Sequence, residues 1–320
     1  MEADFRAASF LDERILAEGR AGSWVPFEEV ADVSAHLAGE SDYIFHIGHA
    51  GSTLVSRLLG ASERVFALRE PAILRTLARR LDRATDRAHR GYPLEGPHLG
   101  VTLKLLARVW RPGQRSLVKA TSFVSDIAPA ILAASPRAKA LLMFVSPQVH
   151  IATRLAGPAT RAELPAVSEQ WLERLHRRLG GVYWRLERIS EGERAALGWA
   201  CEICALASAA HSFPGRVRWL EFEAFLADPA AGLAAVATFL HGDLQDGDVA
   251  SMLAQGDLGR YSKAPQFNYD ARTRSQTIES GLRDHADEIG RGIAWLNAAG
   301  NAHPLIAEAA RSSALAVRSR

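Results

Sequence analysis

The feature that most constrains the fold of this chain is the alternation of short apolar runs with longer helical stretches. Each run is rich in β-forming residues and ends near a glycine, a proline or a charged residue, as buried strands do. Apolar strands that alternate with helices are typical of a parallel sheet covered by helices on both faces. We therefore expect an α/β fold that binds its ligands at the carboxyl ends of the strands. The predicted strands are residues 43–47, 64–69, 116–119, 138–145 and 217–222.

The segments between these strands predict helices and one loop. The loop is expected at residues 82–96, which are charged and include Gly91 and Pro93. Because no internal repeat or low-complexity linker divides the chain, we predict a single domain over residues 1–320, with residues 1–40 and 285–320 as helical extensions. Helices are expected from about residue 52, from Pro71 to about 83, over 127–134, from 147, across 168–211 and over 232–240.

Composition excludes several classes of protein. With 48% apolar and 23% charged residues, the chain has the balance of a globular protein. Its formal net charge of +2 gives no basis for general nucleic-acid binding, so any anion must be recognised locally. Cys201 and Cys204 lack a partner pair at metal-binding spacing and are predicted to be reduced core residues. No stretch resembles a signal peptide or a membrane span, so we expect a cytoplasmic protein without a membrane partner.

The turn after the first predicted strand is the main candidate for a binding site. A strand that enters a helix through a glycine-containing turn aims several backbone N–H groups at one point, and the helix dipole adds positive charge there. Phosphate or sulfate fits such a point. The Walker pattern would require a lysine before the Ser/Thr of this turn, and that lysine is absent. A turn that binds nothing is an equally good explanation of this segment taken alone. The turn consists of Gly48, His49, Ala50, Gly51, Ser52 and Thr53.

The turn resembles the 5′-phosphosulfate loop of the sulfotransferases, in which Gly51, Ser52 and Thr53 match the last three positions. A later block, residues 217–229, is similar to the strand, glutamate-containing turn and Asp-Pro helix start of that family. The resemblance extends to residues 259–265, which look like the loop that closes over the nucleotide; it implies that Tyr261, Ser262 and Lys263 bind the donor. The matches span residues 43–265 in order.

One motif of the family is altered in this chain. Thr153 stands where the family has a serine that binds the 3′-phosphate of the donor, but Val145 replaces the arginine of the same motif. Recognition of the 3′-phosphate then requires Arg154 or Arg161 to supply the missing charge. Arg57, one turn into the first helix, is a further candidate for phosphate binding, or it faces solvent.

The resemblance implies a three-layer P-loop-type parallel sheet flanked by helices, with helical insertions. It also implies an enzyme that transfers a sulfuryl group from 3′-phosphoadenosine 5′-phosphosulfate to a hydroxyl or amine. The acceptor is expected to be a small molecule or a saccharide, and no metal is required. Neither the identity of the acceptor nor the oligomeric state can be read from the residues.

Three residues are candidates for the reaction itself. Glu70 follows the second strand where several sulfotransferases keep a catalytic glutamate, and the resemblance implies a general base; a carboxylate that merely stabilises a helix N-terminus is the alternative. Lys119 ends the third strand and is predicted to neutralise charge, with a structural lysine as the alternative. His49 replaces the basic residue of the family's loop and is predicted to contact the transferring group. Thr121 and Ser122 either assist Lys119 or cap the next helix.

Two other functions remain open at this stage. A kinase-like phosphotransferase would use the same turn, although the missing lysine and the lack of an acidic strand end for magnesium oppose it. A non-catalytic descendant that binds a nucleotide or a protein would tolerate Val145 and His49 in place of the family's basic residues.

Overall fold

The structure is a computed structural model that describes residues 2–15, 23–88, 97–242, 246–255 and 271–318. Its centre is a five-stranded, wholly parallel sheet in the order β2-β3-β1-β4-β5. The α/β fold with a parallel sheet is thus confirmed, and all five strands lie where the apolar runs predict them. The strands are β1 (Ser41–His46), β2 (Val65–Arg69), β3 (Arg115–Lys119), β4 (Ala140–Phe144) and β5 (Val217–Glu221).

The sheet is buried because helices cover it, which explains why its strands are nearly continuous apolar runs. The helices are α1 (Glu2–Ala7), α2 (Phe27–Ala35), α3 (Ser52–Gly60), α4 (Ala72–Ala88), α5 (His98–Leu106), α6 (Ala128–Ala134), α7 (Pro147–Ala156), α8 (Pro158–Leu179), α9 (Glu191–Ser212), α10 (Phe222–Ala227), α11 (Pro229–His241), α12 (Asp246–Gln255), α13 (Ala271–Asp284), α14 (Ala286–Ala302) and α15 (Pro304–Arg318). Single 3-10 turns occur at Glu13–Ile15, Ser122–Ile127, Leu186–Arg188 and Pro214–Arg216.

The order of the strands places a crevice between β1 and β3. The chain leaves β1 through α3 to reach β2, and it leaves β3 through α6 to reach β4, in the opposite direction along the sheet. Because crossovers between parallel strands are right-handed, these two connections lie on opposite faces. The contacts agree: α3 packs with α11 and α12, whereas α6 packs with α9. Adjacent strands whose connections diverge in this way open a binding crevice at their carboxyl ends.

The predicted loop at residues 82–96 is partly wrong. Residues 82–88 continue α4, because the stretch before Gly91 holds good helix formers and no glycine or proline. The rest of that prediction lies outside the described residues. The predicted helical region at residues 168–211 is built by α8 and α9, which are separated where Gly180 and Gly181 adopt φ of 75° and 121°.

The expectation that the two cysteines lie in the core is confirmed. Cys201 and Cys204 are both free and buried in α9. The tail predicted to be helical forms α14 and α15. Across the described ranges, no helix combines the length and apolarity that a membrane crossing needs.

Candidate active site

The phosphate-type turn is anchored by a buried histidine at the end of β1. His46 Nε2 lies 2.9 Å from the carbonyl oxygen of Ala120, and the Gly48 N–H donates to His46 Nδ1 at 2.9 Å. A carbonyl only accepts and a backbone amide only donates, so Nε2 carries the hydrogen and the ring is neutral. His46 is 5% exposed in this position. The side chain also ties the start of the turn to the residue that follows β3.

The backbone of the turn is held in unusual conformations. Gly48, His49 and Gly51 have φ of 81°, 52° and 65°. Glycine adopts such angles freely, but for His49 the left-handed region costs about 1–3 kcal/mol and persists only where the surroundings enforce it. Within the described residues, His49 and Glu70 are the two non-glycine residues with positive φ, and both lie at the carboxyl edge of the sheet.

Helix α3 begins at this turn without a side-chain cap. Its N-cap residue is Gly51, which has no side chain to accept hydrogen bonds from the first amides of the helix. Ser52 and Thr53 follow and are both buried. Uncapped amides beside the positive end of a helix dipole form a site for an oxyanion.

A phenylalanine from the far edge of the sheet closes one side of the turn. An ideal Cβ built on Gly51 would lie 2.0 Å from Cε2 and Cζ of Phe222, the first residue of α10. No other residue type fits at position 51 without moving this ring. Phe222 is 3% exposed and was not predicted as part of the site, although its position directly after β5 places it at the binding edge.

A carboxylate and an ammonium group meet next to the turn. Lys119 Nζ donates to Glu70 Oε1, and Thr121 Oγ1 donates to Glu70 Oε2 at 3.2 Å. The backbone also joins them, because the Glu70 N–H donates to the Lys119 carbonyl at 2.7 Å. The Lys119 side chain is 1% exposed and that of Glu70 12%. A buried ion pair of this kind orients both side chains, since either charge alone would be costly to bury.

The cluster and the turn belong to one edge of the sheet. Lys119 pairs with Ile44 of β1 and with Arg69 of β2, and Ala120, which accepts from His46, directly follows Lys119. A chain of contacts therefore runs from Gly48 through His46 and Ala120 to the ion pair. An anion on the turn would lie at the same edge as a fixed carboxylate.

The residues considered for binding the 3′-phosphate differ from one another in their surroundings. Val145 is 1% exposed, and its carbonyl accepts from the indole N–H of Trp199 at 2.9 Å. Thr153 Oγ1 donates to the Val149 carbonyl of its own helix at 2.7 Å. Arg161 pairs with Glu191 at 2.6 Å, half exposed on the surface. Arg154 is buried, and an ideal Cβ on Gly48 would lie 3.8 Å from its Nη2.

The structure thus brings most of the candidate residues to one edge. Ser122 also lies there, because an ideal Cβ built on Gly48 would lie 3.7 Å from the Ser122 Oγ. Arg57 Nη2 donates to Ser9 Oγ at 2.9 Å, so part of its guanidinium faces the N-terminal segment; phosphate binding by Arg57 stays a prediction. Tyr261, Ser262 and Lys263 lie outside the described residues. Sequence reasoning assigned Arg154 to the 3′-phosphate and missed its approach to the turn, which depends on how α7 packs.

Comparison with known proteins yields no matching family model and no matching curated protein. Two solved structures are similar to the chain in fold. The first is the "Sulfotransferase Domain from the Curacin Biosynthetic Pathway", at 15% identity and a TM-score of 0.41, covering 77% of this chain and 98% of that one. The second is the sulfotransferase STF9 from Mycobacterium avium, at 14% identity and a TM-score of 0.39, covering 81% of this chain and 78% of that one. Both are sulfotransferases, the family whose motifs the sequence resembles, and likeness at this level carries no information about activity.

Proposed function

We propose that this chain transfers a sulfuryl group from 3′-phosphoadenosine 5′-phosphosulfate to a hydroxyl or amine of a small-molecule or saccharide acceptor. The observation that carries the proposal is the contact chain from the uncapped turn at Gly48 to the Glu70–Lys119 ion pair. The first element suits an oxyanion and the second a proton transfer beside it. The turn lacks the lysine of a Walker loop, so it suits a donor that reacts without a metal–triphosphate complex.

The residues present divide the reaction between them. The 5′-phosphosulfate lies on the amides of the turn, which stabilise the charge that develops on the leaving phosphate. Glu70 accepts the proton of the acceptor group as its oxygen or nitrogen forms a bond to sulfur. The bond between sulfur and the bridging oxygen breaks, and its electron pair leaves with adenosine 3′,5′-bisphosphate. Lys119 holds Glu70 in place, and His49, within the turn itself, contacts the transferring group.

Residues of the altered motif fit the 3′-phosphate poorly. Val145 is apolar, the Thr153 hydroxyl is bonded to its own helix, and Arg161 is paired with Glu191. We therefore assign recognition of the 3′-phosphate to Tyr261, Ser262 and Lys263, in the segment that the resemblance implies closes over the nucleotide. Besides Lys119, the described part of the site has a cation beside the turn, Arg154.

Thermal-shift measurements on the full chain test the proposal first, because a ligand that binds the native state raises the melting temperature. We expect stabilisation by adenosine 3′,5′-bisphosphate and less by sulfate or magnesium ATP. A transfer assay with labelled donor and a panel of hydroxyl and amine acceptors then follows. Stabilisation by magnesium ATP alone would replace the proposal with a phosphotransferase, and no stabilisation by any ligand would favour a non-catalytic descendant.

A further inference from the structure

Arg154 is a buried cation without a bonded counterion among the residues that the structure describes. The residue is 8% exposed, and its Nε is completely buried without a hydrogen-bond partner. Its guanidinium makes no hydrogen bond or ion pair with any of the residues that the structure describes. Burial of a charge that is neither paired nor hydrogen-bonded is strongly unfavourable. A protein retains such a group where a ligand supplies the missing partner.

The direction of Arg154 is set by an aromatic ring. Its Cζ lies 5.0 Å from the ring centroid of Trp171, a cation–π contact that supports the charged form. Trp171 has no room to withdraw, because a Cβ on Gly198 of α9 would lie 2.7 Å from its Cζ3. The guanidinium is thus held in place before any ligand arrives.

The guanidinium faces the turn. Nη2 lies 3.8 Å from the position of a Cβ on Gly48, where φ is 81°, and the hydroxyl oxygen of Ser122 lies 3.7 Å from the same position. The same turn leads into α3, which begins without a side-chain cap. Backbone amides and a planar fork of N–H donors therefore converge on one volume, which is the arrangement that binds tetrahedral oxyanions.

No neighbouring group neutralises the guanidinium by contact among the described residues. His150, one turn earlier on α7, is fully buried with both ring nitrogens unpartnered, and burial together with Arg154 holds its pKa well below the usual range. Glu202, whose charge reaches Arg154, is bound to Arg174 at 2.5 Å. Glu163, the other such acid, is exposed.

We infer that Arg154 is the cation of the turn and donates through its guanidinium to a phosphate or sulfate group bound on the amides of residues 48–53. It would supply from α7 the positive charge that a Walker loop takes from its own lysine. The inference rests on the proposed function only for the presence of an oxyanion at this point, and not for the transfer reaction.

The test compares Arg154→Met with the unmodified full chain by calorimetric titration of inorganic pyrophosphate and adenosine 3′,5′-bisphosphate. We expect both affinities to fall about 10- to 100-fold, the usual effect of losing a charge-assisted hydrogen bond. Arg154→Lys keeps the charge but loses the planar fork of N–H donors. Its affinities should lie between those of Arg154→Met and those of the unmodified chain. Arg137→Met is the control for binding, because Arg137 pairs with Glu40 at the opposite edge of the sheet.

The melting temperature without ligand distinguishes a ligand-binding role of Arg154 from a structural role. Methionine removes an unpaired buried charge, so Arg154→Met should melt no lower than the unmodified chain. Arg174→Met, which leaves Glu202 buried without Arg174 and leaves Asp126 with Arg178 alone, should melt at a lower temperature.

The inference is overturned if Arg154→Met binds both probes with unchanged affinity, or if the unmodified chain binds neither. Should Arg154→Met fail to fold, Arg154→Lys decides, since unchanged affinity in that variant also overturns the inference. Failure of the proposed function gives a different result: pyrophosphate binding that depends on Arg154 without any sulfuryl transfer retains the inference and rejects the sulfotransferase.

Discussion

Lys119 Nζ donates to Glu70 Oε1, so the last residue of β3 and the residue after β2 form an ion pair at the carboxyl edge of the sheet. Glu70 has φ of 48°, and its other carboxylate oxygen accepts from Thr121. A strained backbone that presents a fully hydrogen-bonded carboxylate is typical of functional positions. This relationship supports the proposed general base and sets the first prediction.

Glu70→Gln should lower the turnover number of sulfuryl transfer by about 10²- to 10⁴-fold, because the amide cannot accept the acceptor's proton. Donor binding should be retained, since the change leaves the turn intact. The checks are steady-state kinetics with labelled donor and the dissociation constant of adenosine 3′,5′-bisphosphate. Glu40→Gln is the control, because Glu40 bonds to Arg137 at the opposite edge of the sheet. Turnover that stays within a factor of two in Glu70→Gln removes Glu70 from the role of base.

Ser52→Ala should weaken binding of adenosine 3′,5′-bisphosphate by about 1–3 kcal/mol if the buried hydroxyl donates to a phosphate oxygen. Ser56→Ala provides a matched control one turn later in α3. The Ser56 hydroxyl is buried and has no hydrogen-bond partner within the described part of the chain, so its removal should leave the dissociation constant unchanged. Equal dissociation constants for both variants and the unmodified chain would reject the contact at Ser52.

Gly51→Ala should lower the free energy of unfolding by about 2 kcal/mol or more, because alanine combines positive φ with overlap against the Phe222 ring. Removing the ring relieves the overlap, so Gly51→Ala with Phe222→Ala should cost less than the two single changes added together. Urea unfolding of the four proteins measures this coupling. Strictly additive costs would show that the ring does not press on the turn.

The free energy of unfolding should decrease as the pH falls from about 6.5 toward 4 because of His241. Burial, with Arg115 and Lys139 nearby, lowers the pKa of His241 from its ordinary 6.5 to about 4, and its Nε2 has no hydrogen-bond partner in the ranges that the structure describes. Between these values the unfolded chain binds a proton that the folded chain does not, so stability is complete above pH 6.5 and is lost on acidification.

The expected loss from His241 is on the order of 2 kcal/mol. The free energy of unfolding is measured in parallel for the unmodified chain and for His241→Gln from pH 7.5 to 4.5. This comparison isolates the contribution of His241 from that of other titrating groups. As the pH falls, the free energy of unfolding should decrease more in the unmodified chain than in His241→Gln. Parallel pH profiles would contradict the lowered pKa.

By itself, the sequence determined the strands and the polar residues at their ends. Strands buried on both faces must be apolar throughout, so residues such as Lys119 and the turn after His46 stand out where those runs stop. For the same reason Glu70 could be placed at the binding edge. Helix boundaries were less certain, as α4 shows, because a charged helical surface and a charged loop have similar compositions.

Tertiary structure alone decided which of these residues meet. Glu70 pairs with Lys119 because β2 lies beside β3, and strand order follows from packing between distant segments rather than from local pattern. Phe222 closes the turn because β5 delivers it there, and Arg154 reaches Gly48 because Trp171 and Gly198 hold it. Side-chain direction within a packed core depends on every neighbour at once, so no window of sequence contains it.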